Sequence, residues 1–95
     1  MRRHLQYKYT LSLTKKINLE YYFLECETKD TEDFFGIRFY GVEIVKKKNL
    51  IEVETSSVHN FSCSEGKTKL LIDKLILNKV SPTQLHYVLD NILGA

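Results

Sequence analysis

The stretch that decides the fold is residues 51–77, IEVETSSVHNFSCSEGKTKLLIDKLIL, because the spacing of its apolar residues changes part-way along. Ile51, Val53 and Thr55 alternate with Glu52 and Glu54, the two-residue repeat of a strand with one dry face. After Phe61 the repeat lengthens. Leu71, Ile72, Leu75 and Ile76 share one face of a helical wheel, while Leu70 and Leu77 lie on the opposite face. Ser62-Cys63-Ser64-Glu65 fits a capping box, with Ser62 as N-cap and Glu65 at the third helical position. The pattern predicts a strand over about 50–57 and a helix over about 63–79. A helix with two apolar stripes is expected to be covered on two sides, by the sheet and by either a second helix or a partner chain.

C-terminal to this stretch, Ser81-Pro82 restarts a helix. Ser suits the N-cap, and Pro suits the first position, where its missing N–H costs nothing. Leu85, Val88, Leu89, Ile92 and Leu93 follow at i, i+3, i+4, i+7 and i+8, which predicts a helix over about 82–93 with one buried face.

N-terminal to it the chain reads as strands. Leu5, Tyr7, Tyr9, Leu11 and Leu13 alternate with polar residues, predicting a half-buried strand over about 5–13. A second strand, about 17–28, carries apolar residues in both phases, so its middle is expected to be covered on both faces. An acidic loop over residues 25–33 follows. In the third strand, about 34–46, the apolar phase switches between Phe39 and Tyr40, beside Gly41, which predicts a β-bulge there. Lys46-Lys47-Lys48-Asn49 reads as a hairpin turn whose lysines would also blunt an edge. Four strands followed by two helices make an α+β domain: a mainly antiparallel sheet with both helices packed on one face. The chain has 95 residues, enough for a single domain over residues 1–95.

Composition limits the function classes. The chain is 43% hydrophobic and 27% charged, as ordinary globular domains are. Its formal charge of +2 is lower than that of dedicated nucleic-acid domains. The alternation that begins at Leu5 leaves no apolar core for a signal peptide, and no run approaches the roughly 18 apolar residues of a membrane span. A cytoplasmic protein that engages no membrane is expected, with Cys26 and Cys63 as free thiols.

No catalytic residues, metal ligands or cofactor are expected. The cysteines and histidines lack close-spaced ligand pairs, and the isolated glycines make no phosphate loop. His86 and Asp90, four apart, form a polar pair on one flank of the second helix. Tyr87 points away from that helix's apolar stripe, as an interface aromatic would. With Leu70 and Leu77 these residues form a candidate protein-binding surface. Lys15, Lys16, Lys46, Lys47 and Lys48 are the alternative candidates, for nucleic-acid contact.

Tyr40-Gly41-Val42-Glu43-Ile44, Ser62, and the run Ser81-Pro82-x-x-Leu85-x-x-Val88-x-Asp90-x-x-Leu93 resemble a family of small uncharacterised proteins of low-GC Gram-positive bacteria, the clostridial group especially. The resemblance spans roughly residues 38–93. Where the family carries a His before the leucine of the last helix, this chain has Gln84, and its His86 follows Leu85. The resemblance implies a cytoplasmic bacterial protein and no catalysis. Small proteins of such sources include recombination accessory factors that redirect a serine recombinase by binding it. The expected function is therefore a non-enzymatic regulatory adaptor that binds another protein. A homodimer is an alternative, and nucleic acid is a less favoured partner.

Overall fold

The computed structural model describes residues 2–27 and 38–93, with residues 27, 92 and 93 by backbone alone. β1 (Arg2–Ser12), β2 (Ile17–Glu27), β3 (Arg38–Lys48) and β4 (Ile51–Ser62) form one antiparallel sheet in that order. α1 (Glu65–Leu77) follows, then a 3-10 turn (Pro82–Gln84) that runs directly into α2 (Leu85–Leu93). The architecture is α+β, a four-stranded antiparallel sheet with two C-terminal helices. The described residues include no helix long and apolar enough to cross a membrane.

The main core lies between one sheet face and the helices. Leu19, Tyr21 and Phe23 of β2 and Val42 and Ile44 of β3 pack against Leu71, Ile72 and Leu75 of α1 and Leu85 and Leu89 of α2. The buried Tyr21 hydroxyl donates to the Val80 carbonyl at 3.0 Å, tying the inter-helix link to the sheet. On the outer face Tyr22, Leu24 and Val45 form a second, smaller core. Strand β2 is therefore buried on both faces, as its doubled apolar phase requires.

The structure moves several boundaries. β4 runs to Ser62, well past the expected residue 57, because Val58 and Phe61 still pack on the core. Ser62 is thus a strand residue, and the N-cap is Ser64, whose Oγ accepts the Lys67 N–H at 3.2 Å. Ser81 begins the next helical segment as expected, its N–H donating to Gln84 Oε1 at 3.2 Å. Lys46, Lys47 and Lys48 belong to β3, an interior strand, so they blunt no edge. The hairpin turn is Asn49-Leu50. Residues 34–37 of the expected third strand, and most of the acidic loop, lie outside the described residues.

Bulges account for the larger differences. β3 pairs with β2 without interruption from Arg38 to Lys48, so the expected bulge at Tyr40-Gly41 is not in β3. β4 carries the extra residues instead, two between Val58 and Ser62, opposite Gly41, and one at Val53, between the partners of Lys46 and Lys47. β1 carries two irregularities, at Gln6 and at Leu11. A one-residue insertion turns every later side chain to the other face. Leu5 therefore sits opposite Tyr22 on the outer face, while Tyr7 and Tyr9 sit opposite Tyr21 and Leu19 on the helix face. The unbroken alternation of β1 does not make one dry face: Leu5, Tyr7, Leu11 and Leu13 are all exposed.

Candidate functional site

The helix layer presents the expected protein-binding residues to solvent. Leu71, Ile72 and Leu75 turn α1 inward, and Leu70 and Leu77 fall on the opposite side, 64% and 80% exposed. They are seven apart, so they stand in line two helical turns from one another. The second helix does not cover this stripe. On α2, Leu85 and Leu89 are buried, and Tyr87 faces outward at 72% exposure. His86 and Asp90 are exposed as well. The i, i+4 spacing of His86 and Asp90 produces no ion pair among the described residues; the ordered polar contact of this turn is Asn91 Nδ2 donating to the Tyr87 carbonyl at 3.1 Å.

The lysines on which a nucleic-acid reading rests converge at one end of the sheet. The β1–β2 turn (residues 13–16) and the β3–β4 turn (residues 49–50) lie side by side, joined by a hydrogen bond from the Asn49 N–H to the Lys16 carbonyl at 3.1 Å. Lys46 and Lys47 are committed within the sheet, to Glu54 at 4.0 Å and to Glu20 at 3.1 Å. Lys15, Lys16 and Lys48 are exposed and make no ion pair among the described residues. Between the tips lies a cleft of about 260 Å³ lined by Leu13, Leu50, Thr10, Asn18 and their neighbours.

That same end holds a group of exposed apolar side chains: Leu11, Leu13, Ile51 and Val53, which the alternation places on dry phases, and Leu50, expected at the start of the fourth strand. The helix layer, with the link that carries Lys79 and Val80, covers the sheet as far as the Tyr9–Leu19 pair, where Lys79 Nζ lies 4.6 Å from the Tyr9 ring centroid. Beyond that level no second layer among the described residues covers the strands. A partial signal was present in the sequence: Leu13 and Leu50 stand at turns marked by Lys15, Lys16, Lys48 and Asn49.

The outer face carries an ionic network. Arg3 Nη1 donates to Glu43 Oε1 at 2.7 Å, and its guanidinium stacks 4.2 Å from the Tyr22 ring centroid. The Tyr22 hydroxyl and Lys47 both donate to the buried Glu20 carboxylate. Burial pushes Glu20 up, but the hydrogen bonds from Tyr22 and Lys47 outweigh it and hold the carboxyl below its ordinary value. Burial, with the Glu20 hydrogen bond and charge behind it, raises the Tyr22 phenol to about 12. Burial likewise raises Tyr21 to about 12. Each of these shifts moves a group away from neutral pH.

Among the described residues no group of three or more His, Cys, Asp or Glu side chains is gathered as a metal site would need. Cys26 and Cys63 are both free thiols. Comparison with curated proteins and with solved structures finds no match. The full length, residues 1–95, matches the family described as a family of unknown function, DUF6514. The chain therefore belongs to the DUF6514 family of unknown function.

Proposed function

We propose that this chain is a small non-catalytic adaptor that acts by binding another protein through the outward side of its helix layer. The observation that carries the reading is the exposure of Leu70, Leu77 and Tyr87 on helices whose other faces are fully used by the core. Large apolar and aromatic side chains in that position are typical interface anchors, and His86 and Asp90 supply a polar rim. The Lys-, Ile-, Asn- and Tyr-rich composition supports a low-GC Gram-positive source, and the strand alternation beginning at Leu5, in place of an apolar run, supports a cytoplasmic setting. A recombination accessory factor that binds a serine recombinase would use the same surface.

Affinity capture from an extract of the source organism, with and without nuclease, tests this reading. One protein recovered in both arms is the expected outcome, and a recombinase in that position would identify the accessory role. The recovered protein is then titrated against the parent and against L77A/Y87A. A loss of about 2 kcal/mol, or roughly thirtyfold in Kd, is expected for truncating anchors of this kind. Unchanged affinity would remove the helix layer as the binding surface. Direct nucleic-acid binding is the weaker reading, because Lys46 and Lys47 already answer to carboxylates. It requires affinity that falls steeply with salt.

A further inference from the structure

The paired hairpin tips combine three features that the fold does not need. First, Leu13 and Leu50, 85% and 80% exposed, project from adjacent turns with Ile51 beside them, past the last residues the helices cover. Second, the Asn49-Leu50 turn has φ of 54° and 69°, the left-handed pair of a type I′ hairpin turn. Asn suits the first position and Gly the second; a leucine there pays the left-handed penalty for its β-carbon and buries nothing in return. Strain at an exposed apolar residue is a pointer to contact, not to folding. Third, Lys15, Lys16 and Lys48 surround the tips, and the nearest strand carboxylates, Glu54 and Glu52, stand opposite Lys46 and Lys47 within the sheet. The tip thus carries net positive charge around an apolar point.

This charge selects the occupant. A second copy meeting the same surface tip to tip would bring like charges together. Nucleic acid would satisfy the lysines but leave Leu13, Leu50 and Ile51 in water. An anionic bilayer answers both, with phosphate headgroups for the ammonium groups and the acyl boundary beneath them for the leucines. We propose that the hairpin end is a docking site for anionic phospholipid surfaces, with Leu13 and Leu50 entering the interface and Lys15, Lys16 and Lys48 holding headgroups. This is independent of the helix-layer surface, and it departs from the expectation of no membrane contact, which rested on the lack of an apolar run long enough to span a bilayer.

The test is co-sedimentation of the full chain with vesicles of phosphatidylcholine alone or of phosphatidylcholine mixed with phosphatidylglycerol. Binding to the mixed vesicles, much weaker on the neutral ones, is expected. Each lysine near an anionic surface is worth about fivefold in partitioning, so K15E/K16E should lower it by at least about twentyfold. L13S/L50G should lower it several-fold at unchanged charge. The glycine relieves the turn, so the single variant L50G should melt no lower than the parent, separating lost binding from lost folding. No binding to mixed vesicles by the parent overturns the proposal, as does binding that L13S/L50G leaves intact. Self-association in the absence of lipid that L13S/L50G abolishes would assign the tips to a second copy. Oligonucleotide binding abolished by K15E/K16E, without vesicle binding, would assign them to nucleic acid; either result overturns the lipid site.

Discussion

Gly41 is the residue on which the sheet's geometry turns. A β-carbon there would stand 2.0 Å from the Val58 carbonyl oxygen and 2.7 Å from that of His59, both backbone atoms with little room to yield. The extra residues of β4 swing its backbone over this point, and only a residue without a side chain lets the strands close. G41A should therefore cost about 3 kcal/mol, read as a drop in the urea midpoint. An unchanged midpoint would mean that the β4 bulge relaxes freely. The glycine was visible in the sequence as the mark of a bulge. That the bulge belongs to the strand opposite was not visible, because a phase switch within one strand does not say which partner carries the insertion.

At the scale of elements, each helix is held by a start signal and one packed stripe. Ser64 Oγ accepts the Lys67 N–H, a donor that the first turn of α1 leaves open, and the Ser64 carbonyl accepts both the Thr68 N–H at 3.2 Å and the Thr68 hydroxyl at 2.9 Å. S64A should lower stability by about 1 kcal/mol and free the Lys67 N–H, whereas S62A removes only the bond its Oγ accepts from the Ser64 N–H at 2.9 Å and leaves the Lys67 N–H capped. Chemical denaturation with amide exchange at Lys67 checks the assignment of the cap; exchange at Lys67 speeded by S62A and not by S64A would return Ser62 to that role. The sequence reading chose Ser62 because Ser62 and Glu65 satisfy the capping-box spacing. Strand pairing of β4 competes for the same residue, and it prevails because Phe61 still packs on the core. The helix stripes themselves were legible: Leu71, Ile72, Leu75, Leu85 and Leu89 are buried, and Tyr87 is outward.

At the scale of the whole molecule, the sheet has two unlike faces. The helix face is apolar, and the outer face joins a small apolar core to the Arg3, Glu43, Tyr22, Glu20 and Lys47 network. Glu20 titrates below its ordinary value in the folded chain. Its contribution is therefore complete above the unfolded value, about 4.5, and is lost as the pH falls through the lower folded value. E20Q should be less stable than the parent at neutral pH, and its melting temperature should fall less on acidification below about pH 4.5. Parallel acid profiles for the two proteins would show that the network contributes nothing through Glu20. The molecule measures 51 × 30 × 19 Å, and its long strands outrun its short helices. This mismatch in length leaves the hairpin tips uncovered among the described residues.

The sequence by itself determined the element types, their order and which stripe of each helix is buried. Those properties follow from spacing between near neighbours, where a period of two or of 3.6 is written directly in the residues. It also determined that β2 is covered on both faces, from apolar residues in both phases. The tertiary structure alone decided the register. Insertions at Gln6, at Leu11, at Val53 and between Val58 and Ser62 redirect side chains without altering the local pattern. It decided too that Leu13 and Leu50 stand together in water beside three lysines, since that depends on antiparallel pairing between distant segments and on where the helices stop. Periodicity describes one element at a time; exposure is a property of how the elements overlap.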